Sequence, residues 1–413
     1  MGFKATRKKT PRAKGEGSIF RRKDGMWVGS IETTPGEAGQ RRQRRVYAKD
    51  YRRLVAKLEE LKTEAAEGYT ISRTTTVAQW LEYWLENVHR ARIRPTSHRD
   101  YTHTVANIVG SIGDVKVADL APADIRRMHT ILGRENRKAA KAHTVLHRAM
   151  RDAVAEGIVK RNVVSVVDAP TTVTRDRAAL PIGQVQSVLA YAAENCNLME
   201  ATRWLFAFLT GTRQGETLGL TWDRVDLEHG AVDITWQLQQ LKREHGCDPA
   251  CGKGNVAYCP APVWNVPAKF EYVPLHAGLA LTRPKSEAGK RWVPIIEPLR
   301  QALITLRDAD SGPNPHGLVF HRTDGRPVIP SRDNAAWQAL LRGAGIIGPG
   351  ETMPLHTTRH TAATVLRAAG ADEQTRMEIL GHASAEVTRV YAHADQAKNS
   401  AMMDALGVLL PAK

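Results

Sequence analysis

His356-Thr357-Thr358-Arg359-His360, then Leu380-Gly381-His382-Ala383-Ser384, then Val387-Thr388-Arg389-Val390-Tyr391-Ala392-His393 form the stretch from which the rest of the chain can be ordered. The first block sets His356 and Arg359 three residues apart, which puts both on one helical face. His382 follows, and Tyr391 stands nine residues beyond it. Further back, Gly211-Thr212-Arg213-Gln214-Gly215-Glu216-Thr217-Leu218 places Arg213 at the start of a helix beside small residues. There its planar fork can grip two oxygens of one phosphate. Between these blocks, Arg283-Pro284-Lys285-Ser286-Glu287-Ala288-Gly289-Lys290-Arg291-Trp292-Val293-Pro294-Ile295 reads as a hairpin with Lys285 near its tip.

Taken singly, each of these residues has an ordinary explanation. A lone tyrosine is most often a core residue with its hydroxyl on a carbonyl, and single arginines and histidines are usually solvated or structural. Their joint order carries the information, and composition narrows the setting. The 413 residues, 42% hydrophobic and 25% charged, describe a folded chain of several domains. No apolar run reaches the roughly 18 residues of a membrane span, and the basic N-terminus lacks the apolar core of a signal peptide. A soluble, cytoplasmic protein is expected. Walker-type and dinucleotide-binding glycine loops and the H-E-x-x-H helix are missing from the sequence, which removes most ATP, nicotinamide and zincin chemistry.

The charge is concentrated. Of a net +16, residues 1–62 contribute 18 basic against 7 acidic side chains. Such a focused positive segment fits a polyanion, most often nucleic acid, because each Lys or Arg set on a phosphate releases a counterion. Residues 1–14 read as a flexible basic arm. Residues 15–66 suit three short strands and a helix: Asp24-Gly25 is a strong hairpin turn, Trp27, Ile31 and Val46 supply an apolar face, and Leu54, Leu58 and Leu61 recur at helical spacing. Its candidate DNA contacts are Arg21, Arg22, Lys23, Arg41, Arg42, Arg44 and Arg45. Residues 73–169 read as an all-helical domain, opening on Val77, Trp80, Leu81, Trp84, Leu85 and Val88 at amphipathic spacing. After a polar linker, residues 175–413 form a mixed α+β domain with an insertion at 242–275.

In this order and at these separations, the blocks around Arg213, Lys285, His356/Arg359, His382 and Tyr391 resemble those of the tyrosine recombinases, the lambda-type phage integrases. The helical domain resembles that family's core-type DNA-binding domain, and the N-terminal module its arm-type DNA-binding domain. The resemblance implies site-specific cleavage and rejoining of DNA through a 3′-phosphotyrosyl intermediate, integrating or excising DNA at attachment sites of a phage or mobile element. It also implies double-stranded core-type and arm-type sites, a homotetramer on synapsed DNA, a host DNA-bending factor, a directionality factor, and a nucleoid-associated location. A type IB topoisomerase-like relaxation activity shares the site. A non-catalytic DNA-binding regulator would require one of the motif residues to be missing, and all are present.

The chemistry supports the same roles. Breaking a strand without metal or ATP needs a nucleophile that stores the phosphodiester energy, and the Tyr391 phenolate can do so. Arg213 and Arg359 can neutralise the non-bridging oxygens of the transition state. Lys285 suits protonation of the leaving 5′ oxygen; Pro284 stands where the family commonly has a threonine, a departure that leaves Lys285 favoured and keeps Lys290 as a weaker candidate. His356 can exchange a proton with Tyr391, and His382 can donate to a phosphate oxygen. As the resemblance implies, Glu216 buttresses the site. No cofactor is required for this chemistry.

Two features stand apart. His245, Cys247, Cys251 and Cys259 lie in the insertion, in a Gly/Pro-rich setting, and are the right ligand set for a closed structural Zn²⁺ site, although the spacing is not a standard finger pattern; free cysteines are the alternative. Cys196 is expected to be a small core residue. The apolar tail, residues 401–410, must be covered by its own domain or by a neighbour, and the family resemblance favours the neighbour.

Overall fold

A computed structural model describes residues 18–33, 42–66, 74–133, 136–172, 179–248, 250–284, 289–381 and 394–411. It divides into two compact units, Met1–Val173 and Thr174–Lys413.

In the first unit β1 (Ser18–Arg21), β2 (Trp27–Thr33) and β3 (Arg42–Ala48) form an antiparallel meander, followed by α1 (Tyr51–Ala66). The β1–β2 turn is made by Asp24, whose carboxylate accepts from the Met26 amide, and by Gly25 at φ +85°. Ile31 and Leu58 are buried against Ile19 and Val46. Gly29 permits that closeness, since a Cβ there would lie 3.0 Å from the Leu58 Cδ1.

The helical part begins where Thr76 and Gln79 form a reciprocal capping box at α2 (Val77–Tyr83). The helix continues as a π-turn over Trp84–His89. Three further helices follow: α3 (Pro95–Ile112), α4 (Pro122–Leu132) and α5 (Arg137–Ala155). Pro95 and Pro122 occupy first-turn positions, where no amide hydrogen is needed. Trp80 and Trp84 are core residues, as their spacing predicts, packed with Ile108, Ile125, Met128, Leu146 and Met150.

The second unit opens with α6 (Ile182–Asn195), α7 (Leu198–Thr210) and the short α8 (Gln214–Leu218). The strands β4 (Val225–Asp226), β5 (Ala231–Ile234), β6 (Gln237–Gln240), β7 (Arg243–His245), β8 (Pro262–Trp264), β9 (Tyr272–His276), β10 (Leu279–Thr282) and β11 (Arg291–Pro294) come next. The remaining helices are α9 (Glu297–Ala309), α10 (Pro330–Gly343), α11 (Thr357–Ala368), α12 (Glu373–Leu380) and α13 (Ala394–Asp404). The strands make sheets ordered β6-β10-β9, β11-β5-β4 and β7-β8.

Among the described residues, the strands that flank 283–295 do not pair with each other as the predicted hairpin requires. β10 closes a tight antiparallel turn with β9 and gives its other edge to β6, so β11 pairs instead with β5, Val293 opposite Val232. The two strands serve different cores. Leu279 and Leu281 of β10 pack with Leu218 and Leu238, whereas Val293 of β11 joins the main core with Phe206, Phe208, Phe320 and Trp337. The second unit also covers its own tail. Met403, Leu406 and Leu409 are buried in that main core, and the Gln186 side-chain amide donates to the Val408 carbonyl at 3.0 Å. Cys196 is half-buried at the end of α6 and packs against the same core.

Candidate active site

Three elements converge on a buried carboxylate. Helix α7 ends at Gly211, which takes the left-handed conformation (φ +59°) and could carry no Cβ, since one would lie 2.6 Å from Leu380 and 3.0 Å from Ala362. The chain then turns into α8 with Arg213 at the N-cap. Glu216, at the third position of α8, reaches back to the helix start: its carboxylate accepts from the Arg213 amide at 2.9 Å and from the Arg213 Nη1 at 2.7 Å. The Arg213 Nη2 donates to the Gly381 carbonyl at 3.0 Å, leaving the side chain 38% exposed.

Arg291, which the sequence pattern left without a role, arrives from β11. Its Nη2 donates to Glu216 Oε2 at 2.9 Å and its Nε to the Ile379 carbonyl at 2.8 Å. A signal was present in the strand: Trp292 is exposed while Arg291 and Val293 are buried, so the arginine stands at an inward position of the alternation. Burial by itself would raise the Glu216 pKa, but the charges and hydrogen bonds of Arg291 and Arg213 outweigh it and hold the group at about 2.

Arg359, on α11, is 1% exposed. Its Nη1 donates to the Gly211 carbonyl at 3.0 Å, while its Nε and Nη2 have no hydrogen-bond partner among the described residues. Burial first, then the like charges of Arg213 and Arg291, push the guanidinium down to about 9, so it remains charged at neutral pH. The site thus gathers three guanidiniums around one carboxylate. His356 caps α11, half-buried, with its ring 4.9 Å from that of His360 in an edge-to-face arrangement. Arg213 and His356 line one open cleft of about 710 Å³. Behind Arg213, the Gln214 amide donates to Asp333 at 2.7 Å, and Asp333 is ion-paired with the buried Arg203, a support that the sequence pattern did not reveal.

The structure therefore brings Arg213, Glu216 and Arg359 together, with His356 beside Arg213. Lys285, His382 and Tyr391 lie outside the described residues. Of the N-terminal candidates, Arg21, Arg22 and Lys23 are exposed at the β1–β2 turn, where Arg22 pairs with Asp24 at 3.4 Å. Arg45 is exposed on β3 opposite Ser30; Arg42 and Arg44 are placed on the same strand, opposite Thr33 and Ile31, and Arg41 lies outside the described residues. In the insertion, the ligand atoms of His245, Cys247, Cys251 and Cys259 all lie within 4.8 Å of one another. No described helix is long and apolar enough to cross a membrane.

Residues 269–398 match the phage integrase family, and residues 76–132 match the phage integrase N-terminal SAM-like domain. The chain is 29% identical over 421 residues to an integrase of Saccharopolyspora erythraea, covering 94% of each chain, and 25% identical to an integrase of Streptomyces ambofaciens, covering 91% of this chain and 92% of that one. Its fold resembles that of a lambda integrase dimer bound to a core site (TM-score 0.52, 15% identity, 96% of this chain and 97% of the other). It also resembles the Tn1549 transposon integrase in complex with transposon right end DNA (TM-score 0.59, 18% identity, 78% and 99%). The chain belongs to the phage integrase family of tyrosine recombinases. It is a site-specific tyrosine recombinase, an enzyme of the class that cleaves and rejoins DNA strands.

Proposed function

We propose that this recombinase is a phage or mobile-element integrase that joins and excises DNA at paired attachment sites. The observation that carries the reading is Arg359: a buried guanidinium with two donors that have no partner among the described residues, placed beside Arg213, fits one scissile phosphate. A cation withdrawn from water with so little compensation is costly unless an anion completes it.

In the proposed reaction the Tyr391 oxygen attacks the phosphorus while its proton passes to His356. The bond to the 5′ oxygen breaks, and Lys285 supplies the proton that leaves a free 5′-hydroxyl and a 3′-phosphotyrosyl linkage. Arg213, Arg359 and His382 bear on the non-bridging oxygens, where charge accumulates, and Glu216 with Arg291 holds Arg213 in place. Each bond broken is replaced by one of similar energy, so the chemistry requires no metal and no nucleotide. The helical domain and the second unit are assigned to core-type sites in duplex DNA, the basic N-terminal module to arm-type sites, and the active assembly to a homotetramer aided by a host DNA-bending factor and a directionality factor in the host cytoplasm.

A nicked duplex carrying the attachment site traps the intermediate, because the cleaved end diffuses away before religation. Wild-type protein is expected to form a covalent adduct on a denaturing gel without metal or ATP, and Tyr391→Phe none. A cognate site that the protein binds but never joins covalently would overturn the catalytic assignment.

A further inference from the structure

The insertion between β6 and β9 has no part in the phosphate site. Its frame is the ribbon of β7 and β8, in register His245 opposite Pro262 and Arg243 opposite Trp264. His245 ends β7, Cys247 lies two residues on at the start of the connection to β8, Cys251 lies further along it, and Cys259 is buried three residues before β8. Gly246 lets the two sides close, since a Cβ there would lie 2.8 Å from the Ala261 carbonyl, and Gly252, next to Cys251, takes the left-handed conformation (φ +65°). From these residues we propose a four-coordinate structural zinc site formed by His245, Cys247, Cys251 and Cys259.

Two of the six ligand–ligand distances are close to those a tetrahedral ion sets, and all six lie within 4.8 Å. With Zn–S about 2.3 Å and Zn–N about 2.0–2.1 Å, ligand pairs stand about 3.8 Å apart for two sulfurs and about 3.5 Å for sulfur and nitrogen. The Cys247 and Cys259 sulfurs are 3.6 Å apart, and the Cys251 sulfur is 3.3 Å from the His245 Nδ1. A disulfide would need about 2.05 Å and would leave the other two groups unexplained; all the cysteines are free thiols. Thiolate and imidazole donors in a closed set of four select zinc over hard cations such as magnesium or calcium.

The loop also needs such a fastening. Apolar side chains on and beside the ribbon face outward, Tyr258 at 73% and Val263 at 49% exposure, and among the described residues between His245 and Pro262 only Cys259 is buried. Metal binding would then supply the ordering energy that burial does not. The ribbon continues from β6, whose backbone rests on α8: a Cβ on Gly219 would lie 2.5 Å from the Leu238 amide nitrogen. The ion therefore fastens a segment rooted beside the Arg213 helix, while the main core is built elsewhere.

The test is metal content of the full chain purified without chelator, with Cys259→Ser, Cys247→Ser and the control Cys196→Ser. Equimolar zinc is expected in wild type and Cys196→Ser, and loss of most of it in the other two. Zinc removal is expected to raise hydrogen exchange across residues 243–264 and to leave α7 protected. Should a serine variant fail to fold, cobalt(II) added to reduced, zinc-free wild type decides alone, through the visible absorption of a tetrahedral thiolate site. Wild type without zinc and without that cobalt spectrum, zinc retained by the serine variants, or a Cys247–Cys259 disulfide in reduced preparations would each overturn the proposal. None of these readouts depends on DNA cleavage, so the result stands apart from the recombinase assignment.

Discussion

Asp152 on α5 of the first unit and Arg359 on α11 of the second are both charged side chains withdrawn from water, 7% and 1% exposed, and their surroundings differ in kind. The Asp152 carboxylate accepts from the Trp84 indole at 2.9 Å and from Arg151 at 3.2 and 3.3 Å, with Arg92 at 3.7 Å. Burial would raise its pKa, yet these partners bring it below the ordinary value. Arg359 has one carbonyl on one nitrogen, two donors without a partner among the described residues, and two further guanidiniums nearby; the Glu216 charge opposes the effect of its burial without reversing it. A buried charge whose partners are supplied by the protein is part of the scaffold. One whose partners are withheld is shaped for a ligand of opposite charge, and its cost is met elsewhere in the fold.

Glu216 is where that cost is met, and it offers the largest effect. Glu216→Ala leaves Arg291 buried and unpaired, which is expected to lower the stability of the second unit by about 3–5 kcal/mol in urea unfolding. The wild-type pH profile should show the same dependence. The folded-state pKa of Glu216 is depressed, so its contribution, on the order of 3 kcal/mol, is complete above about 4.5 and is lost as pH falls from there towards about 2. In Glu216→Ala that part of the acid limb should flatten. An unchanged acid limb would mean that Arg291 is compensated by another group.

Arg359→Met comes next and reverses the pattern. Removing an uncompensated buried cation while keeping most of its volume should leave thermal stability level or raise it, whereas adduct formation on the nicked duplex should fall about 10²–10³-fold, the loss expected when one preorganised donor leaves the transition state. Stability and activity moving down together would place Arg359 with Asp152 as a scaffold residue.

How far each region could be read in advance follows the same division. The helical domain was legible because Val77, Trp80, Leu81 and Trp84 repeat at a period that only a buried helix face requires, and Thr76 announces the cap. In the second unit Arg213, Glu216 and Arg359, which the structure brings together, stood out by type and order. Their support did not, because it depends on pairing between distant strands: Arg291 reaches Glu216 across 75 positions, and the strands that flank 283–295 do not pair because β10 had already spent both edges. The cover of the tail stayed open between two choices for a related reason. Apolar residues at 401–410 declare that they will be covered, but only the packed core shows that Met403, Leu406 and Leu409 are covered by their own unit.

The smallest effect tests the scaffold side of the comparison. Trp80 and Trp84 are both buried to within 2% of full exclusion, and each donates one indole hydrogen bond, Trp80 to the Ala149 carbonyl at 3.1 Å and Trp84 to the Asp152 carboxylate. Replacing either by phenylalanine removes a similar volume, so the difference between the two variants isolates the bond. A neutral acceptor is worth about 0.5–1.5 kcal/mol and a charged one about 1.5–3. Trp84→Phe should therefore be the less stable by about 1 kcal/mol. The excess should shrink as pH falls and Asp152 is protonated, since a neutral carboxyl accepts less strongly. Equal losses at every pH would show that Arg151 and Arg92 alone satisfy Asp152, and that the indole contributes by packing rather than by its hydrogen bond.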